Sequence, residues 1–203
     1  MDQPVAFIRH AKLTDRPMLY QICLQTAKAG DDATGLYSDH EYPGQVYVIP
    51  YLLFEPQFAF VLEMNQQVVG YVVATADTAH YEQTLAKQWW PKLKAQYAER
   101  EEMALWDHKV LGQIRHPSGA SPELLERWPA HLHINLLPQA QAGGWGRKLI
   151  AHQLHALKEA GVDGVHLGVN LANERVCQFY EKVGFETILR SHAIYMGQRL
   201  DEE

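Results

Sequence analysis

The chain has 203 residues, enough for one α/β domain with a real core and short for two. Its formal net charge of -6 and its 47% hydrophobic, 21% charged composition fit an ordinary soluble globular protein and argue against a broad basic surface for nucleic acid. No apolar run reaches bilayer-spanning length, and Met1-Asp2-Gln3-Pro4 lacks the basic-then-apolar pattern of a leader, so no membrane partner is expected and the expected location is cytoplasmic.

Residues 5–9 alternate and read as a first strand. Thr14 reads as the cap of a helix to about residue 28, with Asp15 in its first turn, and Gly30-Asp31-Asp32 breaks it. The aromatic stretch 33–55, interrupted by Pro43 and Pro50, reads as a short helix within an ordered loop. Residues 58–64 and 68–76, joined by Asn65-Gln66, read as a β-hairpin with Tyr71 in its second strand. Residues 79–129 differ: 80–100 are helical in pattern with a break at Pro91, then charge and proline density rises. This region reads as a helical insertion before the fourth strand, not as a separate domain.

Residues 131–137 alternate again. After a glycine-rich turn, residues 144–160 carry Leu149, Ile150, Leu154 and Leu157 on one helical face, and Gly161 ends the helix. Val165, Leu167 and Val169 form the apolar face of a strand. Asn173 reads as the cap of a further helix ending before Gly184, and strands at about 185–189 and 193–199 close the chain. Cys23 and Cys177 fall in helical segments and read as buried reduced thiols. The order implies one α/β domain, a mixed sheet with helices on its faces.

The most informative segment is Gln141-Ala142-Gly143-Gly144-Trp145-Gly146-Arg147-Lys148-Leu149, which joins a strand to a helix. Glycines allow close backbone approach, and the helix start offers unpaired N–H groups and the positive dipole end, an anion site suited to a pyrophosphate. A Walker A loop fails, because Gly146 is followed by Arg147-Lys148-Leu149 rather than Lys-Ser or Lys-Thr. A Rossmann fingerprint is weak, because Leu149 stands where a third small residue belongs and the turn lies late in the chain. A zinc site is rejected: His131 and His133 are a strand pair with both cysteines far off in sequence, so no metal is expected.

Gln141-Ala142-Gly143-Gly144-Trp145-Gly146 matches the Gln/Arg-x-x-Gly-x-Gly turn of the GNAT N-acetyltransferases. One strand later, Asn173-Glu174-Arg175-Val176-Cys177-Gln178-Phe179-Tyr180-Glu181-Lys182-Val183-Gly184-Phe185 resembles that superfamily's second hallmark. Further stretches (Asp31-Asp32-Ala33-Thr34, Phe60-Val61-Leu62-Glu63, Gly70-Tyr71 and Trp89-Trp90-Pro91) look like the acetyltransferase-like domain of nuclear O-GlcNAcase and its free-standing bacterial relatives.

The resemblance implies a twisted, mostly antiparallel sheet of about seven strands whose one parallel pair splays apart at the cofactor. It also implies acetyl-CoA as co-substrate and a small-molecule or peptide amine as acceptor, in a monomer or homodimer. Leu136 and Leu137 are then the positions that bond the pantetheine arm and stabilise the oxyanion. Residues 141–147 and Asn173 would hold the remainder of the cofactor, and Gly168 opposite would leave room for the arm. Tyr180 matches the tyrosine credited with protonating the leaving thiolate. His133, and after it His131, are candidate bases on one strand face, which Asn135 shares as a candidate to position the substrate or a water. Asp31 and Asp32, with Tyr71, would shape the acceptor site; the acidic balance of the chain fits a cationic or neutral acceptor. A binding module that has lost catalysis is the alternative.

Overall fold

The computed structural model describes residues 5–202, so Met1–Pro4, read above as lacking a leader pattern, lie outside the described residues. The chain opens with β1 (Ala6–His10) and then α1 (Arg16–Thr26). Two short helices follow, α2 (Tyr42–Tyr47) and α3 (Ile49–Phe54), then the hairpin β2 (Ala59–Met64) and β3 (Gln67–Thr75). Four helices precede the fourth strand: α4 (Thr78–Gln88), α5 (Trp90–Gln96), α6 (Asp107–Arg115) and α7 (Pro122–Arg127). The remainder runs β4 (Ala130–Leu136), α8 (Trp145–Glu159), β5 (Gly164–Val169), α9 (Cys177–Lys182), β6 (Glu186–Arg190) and β7 (Ile194–Arg199).

The strands form one seven-stranded sheet in the order β1-β2-β3-β4-β5-β7-β6. Every pairing is antiparallel except β4 with β5. That parallel pair holds only at its start, Ala130 with Val165 and His131 with His166, after which the strands part. α1 packs on one face of β3 and β4, and α8 on β2, β3 and β4. The sides are opposite: Tyr71 points toward Cys23 of α1, whereas Leu136 lies against Gly146 of α8.

Local chemistry explains most boundaries. Asn65 and Gln66 both take positive φ, 50° and 67°, as a two-residue hairpin turn requires. Pro43, Pro50 and Pro91 sit in the first turns of α2, α3 and α5, where a missing N–H costs nothing. Aromatic residues 33–55 therefore make two short helices rather than one.

Two caps differ from expectation. Thr14 lies in a 3-10 turn, and α1 begins at Arg16 after Asp15, whose carboxylate accepts from Lys12 N–H at 2.7 Å and pairs with Arg9. Asn170, not Asn173, caps the segment before α9: its side chain accepts from Ala172 N–H at 2.9 Å, while Asn173 sits at a kink. The Asx turn two residues on outcompeted the later asparagine.

The inserted helices share their core with the sheet. Trp89, Leu93, Tyr97, Val110, Leu111 and Ile114 are buried in the same cluster as Leu19, Ile22, Tyr71 and Leu149. Buried Gln45 ties α2 to this layer, accepting from Tyr20 and donating to Tyr97, while Trp89 donates to its carbonyl. Buried Asp107 accepts from Ser38, Met103 and Ala104, and those bonds hold its carboxyl below the ordinary range. Cys23 and Cys177 are buried free thiols, and burial pushes Cys23 up to about 12.

Candidate active site

The parting of β4 from β5 opens a cleft of about 610 Å³. Backbone polar groups alternate along an antiparallel strand. Leu137 N–H donates to Val69 O at 2.9 Å on the β3 side, so Ile134 and Leu136 direct their groups toward β5. With β5 no longer paired there, those groups face the cleft. Leu137 itself does not line the cleft, which corrects its expected role: one residue of alternation turns it to β3. The side chain of Gln141 donates to Leu136 O at 3.1 Å, so it holds the turn against the end of the strand.

Gly143 and Gly144 take φ of 84° and 75°, left-handed values that favour glycine, and Gly144 is the N-cap of α8. A Cβ at Gly144 would meet nothing within 4 Å, so its surroundings are open. The first main-chain bond of the helix is Lys148 N–H to Gly144 O, which leaves the N–H groups of residues 145–147 at the helix start. Gln141, Gly144, Gly146 and Arg147 line the cleft. Ala142, Gly143 and Trp145 complete the turn outside that lining, and Lys148 lies over the Trp145 ring at 4.2 Å. Across the mouth, Asn173 faces the loop after α1, its Nδ2 4.0 Å from where a Gly30 Cβ would be.

Tyr180, from α9, also lines the cleft, wedged edge-on against Phe179 and Phe185. Burial pushes its phenol up to about 12, so it stays protonated at neutral pH. Asn135 lines the same cleft and donates to Tyr71 at 2.8 Å.

A second groove, about 950 Å³, lies beyond the splay and shares Leu132, His133, Leu167 and Gly168 with the first. Its floor carries His131, His133 and His166; its walls come from α4 to α7, the 117–121 loop and Tyr195. Tyr51 and Thr78 place hydroxyls 2.6 Å from the two ring nitrogens of His131, one donating to the neutral ring and the other accepting from it. Burial, then His133 and His166, holds His131 well below its ordinary value. His133 makes no hydrogen bond among the described residues, and burial with nearby His166 pushes it down to about 4. His166 donates from Nδ1 to Trp128 O at 2.8 Å, which leaves its Nε2 as an acceptor.

Three expected acceptor-site residues lie elsewhere. Asp31 bridges Lys28 through the backbone, and the Asp32 carboxylate accepts from the Thr34 N–H and hydroxyl. Neither lines the groove. Tyr71 is fully buried beneath α1. A short loop cannot extend across the sheet once its own turn chemistry folds it back. The missed residues are His166 and the insertion's Tyr81, Glu82 and Trp90. His166 sits on the polar face of β5, a position visible in the alternation; the insertion carried no such signal.

A GNAT acetyltransferase family model matches residues 19–185. The chain belongs to the GNAT acetyltransferase family. It is 34% identical to SsHAT, whose crystal structure covers 98% of this chain and 100% of that one with a TM-score of 0.89. It is 23% identical over 175 residues to Protein O-GlcNAcase of Rattus norvegicus, covering 84% of this chain and 19% of that protein's length. It also shares the fold, at 16% identity and a TM-score of 0.57, with yncA from Salmonella typhimurium, a structure that contains acetyl-CoA. That structure covers 98% of this chain and 95% of its own.

Proposed function

We propose that this protein is an acetyl-CoA-dependent N-acetyltransferase acting on a primary amine by direct attack on the thioester. The carrying observation is that two clefts from opposite sides meet at Leu132, His133, Leu167 and Gly168. One suits a pyrophosphate and an amide-rich arm; the other admits a second reactant. Acetyl-CoA would supply an activated acyl carbonyl at that junction.

The bare N–H groups of residues 145–147 and the exposed Arg147 hold the diphosphate at the positive end of a four-turn helix. The free edge of Ile134, together with the N–H of Leu136, bonds the pantetheine amides as an added strand would, the Leu136 carbonyl being taken by Gln141. An N–H on this edge stabilises the oxyanion, and Ile134 is the nearer to the junction. Gly168, with no side chain, keeps the opening between the clefts clear.

The proton chemistry follows from the two perturbed groups. A free primary ammonium has a pKa near ~10.4, far above that of His133, so the amine must arrive neutral. Once nitrogen bonds the acyl carbon, its proton becomes acidic enough for His133 to accept it, directly or through water. Tyr180 at about 12 lies roughly three pK units above a thiol near ~8.5, so its hydroxyl steadies the departing thiolate by donating a hydrogen bond. Calorimetry with acetyl-CoA, followed by a thiol-release screen across amines, tests the proposal. Tight binding with no thiol release from any amine leaves a binding module.

A further inference from the structure

We infer that the acceptor is a small amine that also carries an anionic group, held at that end by Lys94 and Lys109. This rests on the transferase reading above and names the substrate class of the same site.

The charged lining of the groove is lopsided. It contains Lys94 from α5, Lys109 from α6 and a single carboxylate, Glu82 from α4, although the chain as a whole has net charge -6. Glu82 is committed: one oxygen accepts from Ala120 N–H at 2.8 Å, which ties the 117–121 loop to α4. Burial raises its pKa, while the Ala120 N–H bond opposes that shift. Asp107, the nearby acid of α6, is wholly buried on Ser38, Met103 and Ala104 and does not line the groove. The remaining titratable bases of the lining are histidines, His131, His133, His166 and His192.

Lys94 and Lys109 form no ion pair among the described residues. Lys109 lies over the Trp106 ring, with Nζ 3.6 Å from its centre, which holds the ammonium in place without neutralising it. The two lysines stand on adjacent packed helices, whereas His131, His133 and His166 stand on the sheet below and His192 in the turn after β6. The groove is therefore polarised. The imidazoles of His131, His133 and His166, whose charged forms burial disfavours, lie where the amine must react, and unneutralised ammonium groups lie in the helical layer opposite.

A polyamine or a lysine-rich peptide would bring several cations to a groove whose two lysines outnumber its single carboxylate, Glu82, and would be disfavoured. An amino acid, aminosulfonate or aminophosphate presents its anion to the lysines while its amine reaches His133. The three share one chemistry, an amine with a tethered anion.

The test is thiol release from acetyl-CoA with four acceptor sets: ω-amino acids and aminosulfonates, aminoalkyl phosphates, uncharged alkylamines, and polyamines. The expected order places either anionic set at least tenfold above polyamines in kcat/KM, with KM rising as salt increases. The Lys94→Glu, Lys109→Glu double variant should raise KM for the preferred anionic amine by about tenfold and leave acetyl-CoA affinity unchanged. Both lysines are exposed, so the variant folds; Lys94→Gln with Lys109→Gln gives a smaller shift in the same direction. Polyamines preferred, or a double variant with unaltered KM, overturns the inference and leaves the transferase reading standing. Acetyl-CoA binding with no release from any amine overturns both.

Discussion

The two clefts that meet at Gly168 are built by opposite means. The proposed cofactor side comes largely from one continuous stretch, β4 to α9, and presents mainly backbone: a splayed strand edge, two left-handed glycines and a helix start. The proposed acceptor side gathers separated segments, α2 to α7, the 117–121 loop, β4, β5 and β7, and presents side chains. A backbone site requires particular residues at fixed spacing, because only glycine tolerates the needed φ cheaply. A side-chain site can be made of ordinary tyrosines, histidines and leucines placed by the fold. The first kind is conspicuous locally and the second is not.

The contrast breaks most readily at Gly144. A valine there must hold φ of 75°, where a β-branched residue is strained by about 1–2 kcal/mol, and it places methyl groups in the open space before the helix. Acetyl-CoA affinity should fall by more than ~100-fold, about 2.7 kcal/mol, read by calorimetry on protein whose circular dichroism is unchanged. Unaltered affinity would remove the turn from cofactor binding.

Tyr180→Phe comes next. Its kcat should fall about 100-fold while acetyl-CoA affinity stays within about twofold, since the hydroxyl acts on the leaving group and the ring keeps its contacts with Phe179 and Phe185. A fall in affinity alone would make it a packing residue.

The two strand histidines should separate by type of effect. His133→Gln should lower kcat/KM at least tenfold with little change in melting temperature. His131→Gln disturbs hydrogen bonds to Tyr51 and Thr78 and should cost about 2–3 kcal/mol of stability, seen in urea unfolding. Equal kinetic losses with equal stability would show that the acceptor side does not distinguish a support from a reactive group.

The same cluster makes a weaker demand on pH. His131, His133 and His166 all have folded pKa values depressed below the unfolded value near ~6.5. Below that value the unfolded chain binds protons that the folded protein still refuses. Their contribution is therefore complete above pH 7 and declines as pH falls through 6, by about 1.4 kcal/mol at pH 5.5 for His133, whose folded value is about 4. Urea midpoints at pH 7.5 and 5.5 measure it; a midpoint that does not drop would mean the ring nitrogens are solvated.

The smallest expected effect concerns the loop after α1. Asp31→Ala and Asp32→Ala should leave acceptor KM within about twofold, because both side chains lie outside the groove. A tenfold rise in KM would return these carboxylates to the acceptor site.

Much of this molecule was legible before any coordinates. Alternation marked β1, the hairpin and β4 to within a residue or so, and the helix after the turn showed its apolar face in Leu149, Ile150 and Leu157. The turn's glycines pointed to an anion site because their conformational freedom is a local property. Leu137 was misplaced by a single step of alternation, since the side that a strand's N–H faces depends on which neighbour pairs with it. Asp31, Asp32 and Tyr71 were misplaced for a larger reason: residue type and loop position do not state which face of the sheet a segment crosses.

The sequence by itself therefore determined the order of the strands along the chain, the family and the glycine-rich turn that opens α8, all of which arise from patterns between residues a few positions apart. Only the tertiary structure decided that residues 78–124 wall the second groove, that His166 joins His131 and His133 across the parallel pair, and that Lys94 and Lys109 share it. Those assignments depend on contacts between residues tens of positions apart, set jointly by core packing and by bonds such as Trp89 to Gln45 and Ser38 to Asp107. No local pattern encodes them.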